Sequence, residues 1–207
     1  RVDTLVAMYH PLKTRYANLE IVDIPGIAAE GNGRGSSQIG EIKDVEALVH
    51  VVRCFEDDNV VHVAGKVRPL DDIEIIDTEL ALADLESVEK ALQRQSKMAK
   101  SGDKDAKALV SVLEKIKPSL DDGKAVRSVE LTDDETDLIR SFNFLTIKPT
   151  MFICNVDEDS LEGNELVEQV REVAKAENAE VVVLCAKIES EIAELEEDEK
   201  VEFLADL

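Results

Sequence analysis

Two stretches, Thr150-Met-Phe-Ile-Cys-Asn-Val-Asp-Glu158 and Glu180-Val-Val-Val-Leu-Cys-Ala-Lys187, decide the fold class. Each opens with a short β-rich apolar run, Thr150 to Cys154 and Glu180 to Cys185. Between them Leu166, Val167, Val170, Val173 and Ala174 recur at helical spacing. Strand, helix, strand is a βαβ unit, whose strands pair in parallel through a right-handed crossover. Upstream, Ala47 to Arg53 (Ala-Leu-Val-His-Val-Val-Arg) is a third apolar run of strand length, the kind expected of a parallel strand covered on both faces. His50 within it reads as a core imidazole. The expected class is therefore α/β with a mostly parallel sheet.

Further upstream, Asn18-Leu-Glu-Ile-Val-Asp-Ile-Pro-Gly26 reads as a short strand ending in Asp23-x-x-Gly26. A carboxylate at the carboxyl end of a strand, three residues before a glycine, suits a phosphate-bound Mg²⁺ and a backbone N–H reaching the last phosphate. The next residues, Ile27 to Gly40, carry Gly31, Gly33, Gly35 and Gly40 without an apolar period and read as a mobile loop. Arg1 opens in what reads as mid-helix (Val2, Leu5, Val6), so a preceding segment is expected.

The middle of the chain changes period. From Leu70 to Lys100 apolar residues follow a helical spacing through Ile73, Ile76, Leu80, Ala83, Leu85, Val88, Ala91, Leu92 and Met98. Ser101-Gly102-Asp103 breaks the run, and Leu109, Val112, Leu113 and Ile116 resume it. Two helices joined at a glycine turn make an antiparallel hairpin, so 71–122 reads as a projecting coiled-coil arm inserted into a domain made of 1–70 and 123–207. Thr132-Asp-Asp-Glu135 is a capping box that starts another helix. Ile188 to Leu207 reads as an acidic, solvated helical surface.

Charge narrows the partners. The 207 residues hold 46 acidic against 24 basic side chains, a net charge of −22, which excludes general wrapping of a nucleic-acid backbone, DNA included. Glu89 to Lys117 is the exception, with eight basic residues (Lys90, Arg94, Lys97, Lys100, Lys104, Lys107, Lys115 and Lys117) against four acidic ones. Its tip is a candidate contact for RNA or an acidic partner. The cysteines Cys54, Cys154 and Cys185 are odd in number, far apart and set in apolar runs, so they suggest neither disulfides nor a zinc site. No apolar run reaches the roughly 18 residues of a membrane span, and a reducing, cytoplasmic setting is expected.

The run Val51 to Leu85, Asn155-Val-Asp-Glu-Asp159, Cys185 to Ile192 and Lys200-Val-Glu-Phe-Leu204 resemble the YchF/Obg-like ATPase family of translation-factor-type P-loop NTPases, and the likeness runs over nearly the whole chain. The resemblance implies a Ras-like nucleotide domain carrying a coiled-coil insertion and followed by a TGS domain. It also implies ATP preferred over GTP, Mg²⁺ as cofactor, and association with the ribosome through ribosomal RNA. Carried over by position, Asp23 holds Mg²⁺ through water and the Gly26 N–H meets the γ-phosphate. Asn155, Val156, Glu158, Cys185 and Ala186 surround the base, with Val156 in direct contact. Ile27 replaces the usual water-orienting Gln, which leaves no catalytic residue identifiable.

In guanine-specific relatives an Asp carboxylate takes two N–H bonds from the base; here Glu158 is one methylene longer and Val156 replaces a lysine. The phosphate-cradling Gly-x-x-x-x-Gly-Lys-Ser/Thr is absent from these 207 residues, as is a TGS domain, so this chain alone is expected to be inactive. Two other readings compete: a non-catalytic binding module whose working surface is the basic hairpin, and a GTPase relative.

Overall fold

The computed structural model describes residues 1–24, 40, 42–57 and 66–206. Its centre is a parallel sheet of three strands, β1 (Leu48–Arg53), β2 (Thr150–Asn155) and β3 (Glu180–Leu184), in that order. The register aligns Val52 with Cys154 and Cys154 with Val183. Helix α5 (Glu165–Glu177) links β2 to β3 and covers one face, burying Val167, Val170 and Ala174 against Val52, Phe152 and Cys154. Asn164 caps that helix, its Oδ1 accepting from the N–H groups of Leu166 and Val167 at 3.0 Å each. Its Nδ2 donates to the Cys54 carbonyl (2.8 Å), tying the helix start to the strand beside it.

The expectation that β1 is covered on both faces does not hold among the described residues. Alternate residues of a strand face opposite ways, and Leu48, His50 and Val52 turn toward the helices while Val49 and Val51 are 52% and 62% exposed. His50 lies as expected in the interior, its ring 5.7 Å from Phe152 and its pKa held down by burial. Val51 aligns with Ile153 and Val182, so an apolar row lies along the opposite face with no helix over it among the described residues.

The strand expected at Asn18 to Asp23 is also absent. After α1 (Val2–Tyr9), residues 11–24 form no helix or strand, and Leu19 and Ile21 are 85% and 82% exposed. A strand persists only when a neighbour takes its backbone hydrogen bonds, and 18–24 does not join the sheet. Ile24 is anchored, packing with Ile42, Leu80 and Leu145. Residues 25–39, which include Gly26, Ile27 and most of the glycine-rich stretch, lie outside the described residues.

Helix α2 (Pro69–Lys100) begins with proline at its first turn beside Asp71 and Asp72 and ends with Lys97 and Lys100, a charge order that suits its dipole. Gly102 (φ +99°) makes the turn, and Asp103 caps α3 (Lys104–Asp121) by accepting from the N–H groups of Asp105 and Ala106. Val88, Ala91, Val112, Leu113 and Ile116 fill the seam. Among the described residues only the outer half of this hairpin is free. The inner half packs on Val126, Ile139 and Phe144, and the Lys115–Glu135 ion pair (2.8 Å) joins α3 to α4 (Asp133–Ile139). The capping box of α4 is present, with Glu135 N–H donating to Thr132 Oγ1 and Thr132 N–H to Glu135 Oε2.

Two buried charges lock the hairpin and β2 in place. Asp84, 1% exposed, accepts from Leu145 N–H (2.9 Å), Thr146 N–H (2.8 Å) and the Thr146 hydroxyl (2.8 Å). That hydroxyl in turn accepts from Val126 N–H (2.9 Å). Burial raises the Asp84 pKa, and these bonds oppose the shift. Lys148, 7% exposed, donates from Nζ to the carbonyls of Ile42, Lys43 and Val45 at 2.6–2.8 Å, fixing 42–45 beside the start of β2. The chain closes with α6 (Ala186–Glu194) and α7 (Glu197–Asp206), so its acidic end is helical as read.

Candidate functional site

The carboxyl ends of parallel strands are where open α/β sheets hold ligands, and most of the sequence-selected residues meet there. Asn155 ends β2, and its side-chain Oδ1 accepts from Ala186 N–H (2.9 Å), the first residue of α6. One amide side chain thus ties the end of β2 to the turn after β3. Val156 N–H donates to the Leu184 carbonyl (2.9 Å), extending the ladder past the strands. Glu158 lies in a short 3-10 turn just beyond, and its carboxylate pairs with the Lys187 ammonium across the two strand ends. Both side chains are more than half exposed, and the carboxylate raises the Lys187 pKa.

Direct contact between the Val156 side chain and a base is not what the geometry allows. Phe152, Cys154 and Val156 share one parity, so Val156 points to the face that α5 covers and is 2% exposed. Its backbone is buried there too, with its N–H held by the Leu184 carbonyl. Cys185, 3% exposed, occupies the N-cap position of α6.

The three cysteines, scattered in sequence, converge on this edge of the sheet: Cys54 follows β1, Cys154 lies in β2 and Cys185 follows β3. Cys54 N–H donates to the Asn155 carbonyl (2.8 Å), which places the first beside the second. The Cys54 thiol is pushed well up by its hydrogen bond with Cys154 and by burial, which disfavours its thiolate.

Asp23 lies apart from this order, an exposed carboxylate in an irregular segment rather than at a strand end. Its chemistry fits Mg²⁺ bound to phosphates, which asks one or two carboxylates of a protein and takes its other ligands from phosphate and water. Among the described residues no group of three or more His, Cys, Asp or Glu could hold a metal by itself. Gly26 and Ile27 lie outside the described residues. No described helix is long and apolar enough to cross a membrane.

The sequence is similar from end to end to curated bacterial proteins. It is 53% identical over 210 residues to the ribosome-binding ATPase YchF of Haemophilus ducreyi, 49% to that of Escherichia coli O157:H7, and 48% over 213 residues to that of Bacillus subtilis strain 168. The chain belongs to the YchF, or Obg-like ATPase, family. All of the chain is matched in each case, and it spans 58% of the length of these YchF proteins. The solved YchF GTPase of Schizosaccharomyces pombe superposes with a TM-score of 0.83 at 26% identity, over 99% of this chain and 58% of the other. That likeness bears out the expected α/β class of P-loop NTPase fold. No family model matches the chain.

Proposed function

We propose that this chain is the nucleotide-binding part of a ribosome-associated, cytoplasmic Obg-like ATPase that prefers ATP to GTP. In this reading 1–70 and 123–207 form the nucleotide domain and 71–122 the inserted hairpin. Asn155, Glu158, Cys185, Ala186 and the backbone of Val156 form the base corner, and Gly26 approaches the γ-phosphate. Asp23 holds Mg²⁺ through water, and that ion, when bound, neutralises phosphate charge.

The observation that carries the base preference is the Glu158–Lys187 pair. Guanine offers two N–H donors on one edge and needs a free carboxylate facing them; adenine offers an acceptor at the ring position, whose lone pair a carboxylate would meet, and only its amino group as a donor. A Glu158 carboxylate already held by an ammonium on the neighbouring strand end is withdrawn from guanine. The Asn155–Ala186 bond keeps the corner in shape for either base.

The test is a competition titration of ATP and GTP against a fluorescent nucleotide, in a protein of the YchF relatives' full length that carries this sequence. ATP is expected to bind the tighter, and Lys187→Ala is expected to narrow the gap by freeing Glu158. Tighter GTP than ATP binding in the parent would refute the reading.

A further inference from the structure

The hairpin tip carries charge that the nucleotide corner does not use. Of the eight basic residues between Glu89 and Lys117, three are neutralised: Lys90 by Glu86, Lys115 by Glu135, and Lys117 by Glu89 and Asp121. The other five, Arg94, Lys97, Lys100, Lys104 and Lys107, are exposed and make no ion pair among the described residues. The structure thus divides one basic run into a paired base and an unpaired tip. Within 93–108 five cations face two carboxylates, and one of those, Asp103, is the cap of α3.

Local electrostatics does not explain all five. Lys97 and Lys100 suit the carboxyl end of α2, but Lys104 and Lys107 stand in the first turn of α3, where the helix dipole disfavours cations. A local rule broken on an exposed surface marks a site shaped by something outside the chain. At about 100° per residue, Lys97 and Lys100 fall opposite the α2 seam at Val88 and Ala91, and Arg94 falls to its side. Lys104 and Lys107 fall opposite the α3 seam at Leu113 and Ile116. The cations therefore flank the tip on both outer sides, an arrangement for end-on entry between anionic walls rather than side-on contact.

The acidic body does not cancel this field. From the Glu89 level, where the outermost ion pairs lie, α2 runs on for about 18 Å to the turn at 1.5 Å per residue. That is about two screening lengths at physiological ionic strength. The tip also lacks an apolar anchor of the kind protein interfaces centre on, since Met98, 42% exposed, is its single large exposed apolar side chain. A two-helix tip is too broad for the deep groove of an RNA duplex and for a DNA major groove that admits one helix, so it fits phosphates displayed at a folded-RNA surface.

We propose that the tip of the α2–α3 hairpin is an end-on docking surface for the phosphate backbone of folded RNA, with Arg94, Lys97, Lys100, Lys104 and Lys107 as its contacts. This deepens the ribosome-associated reading and rests on it for the choice of RNA over other polyanions.

The experiment is a fluorescence-anisotropy titration of the chain against a labelled RNA stem-loop and, separately, a DNA duplex of equal length, across a salt series. With three to five phosphates contacted, log affinity is expected to fall with log salt at a slope of about −3 to −4.5. Changing all five residues to Gln is expected to reduce RNA affinity at least tenfold at low salt and flatten the slope. Lys90→Gln with Lys115→Gln, which alters only paired lysines, is expected to change neither. Helicity by circular dichroism checks that each variant folds, and Lys104→Glu with Lys107→Glu repeats the test with two changes. Equal RNA binding by parent and five-fold variant at every salt overturns the proposal, as does tip-dependent binding to DNA or to RNA-free ribosomal protein in place of RNA. Co-sedimentation with ribosomes separates the two readings. Sedimentation that ignores the tip leaves the ribosomal reading and removes this one; tip-dependent RNA binding without sedimentation does the reverse.

Discussion

Replacing Asp84 by Ala tests whether the buried carboxylate fixes the hairpin to the nucleotide domain. The change strips the acceptor from two buried N–H groups, of Leu145 and Thr146, and from the Thr146 hydroxyl. A buried donor left unpaired costs roughly 1–3 kcal/mol, and the hydroxyl, free to rotate, adds less. Removing a buried charge returns part of this, because desolvation already raises the Asp84 pKa. A net loss of about 3 kcal/mol follows, which for a chain of this length lowers Tm by about 6–12 °C. Asp84→Asn keeps one acceptor oxygen and should lose about half as much. Urea unfolding followed by circular dichroism measures the loss. Hydrogen exchange locates it, with the amides of Val126, Leu145 and Thr146 losing protection first. A loss under about 1 kcal/mol for Asp84→Ala, or loss of protection spread evenly over the sheet, would refute the reasoning.

Two further outcomes are expected. Asp77, half-buried at the base of α2, has its pKa raised to about 6 by burial and by Glu177, against the pull of Arg127. The fold favours its protonated form, so its contribution is full below about pH 4 and is lost as pH rises through 6. Asp77→Asn should therefore match the parent near pH 4 and exceed it by about 1 kcal/mol at pH 8 after allowance for partial exposure, as read by urea unfolding at the two pH values. An equal difference at both would count against this assignment. The chain itself should release no phosphate from ATP or GTP above a no-protein blank, since these 207 residues hold no Gly-x-x-x-x-Gly-Lys-Ser/Thr. Turnover abolished by Asp23→Ala would overturn it.

What the sequence made legible was local. The turn at Gly102, the capping box at Thr132 and the separate strands and helix of the βαβ unit over 150–184 each depend on residues within a few positions, and each formed as read. What it hid depends on neighbours. The apolar run at 18–23 has the composition of a strand, but composition does not supply the adjacent strand that would take its hydrogen bonds. Val156 was assigned a base contact by position, although the alternation Phe152, Cys154, Val156 already turned it inward. Asp84 had a signal too, since Leu80, Asp84 and Val88 recur four apart, placing a carboxylate on an apolar face. Nothing near Lys148 in sequence announces that its ammonium would serve three carbonyls about a hundred residues away.

The uncovered row of Val49, Val51 and Val182 gives this chain an unusual colloidal character. Among the described residues one face of the sheet is apolar and open, and β1 and β3 each leave a backbone edge unpaired. Such a surface is a template on which another copy can stack or pair. What opposes that encounter is long-range repulsion between bodies each bearing −22. The repulsion reaches about 30 Å at 0.01 M salt and only about 3 Å at 1 M, while the attraction between apolar faces is undiminished by salt and strengthened by sulfate. Dilute buffers should therefore keep the chain monodisperse, and the high salt commonly used to keep proteins apart should drive its molecules together.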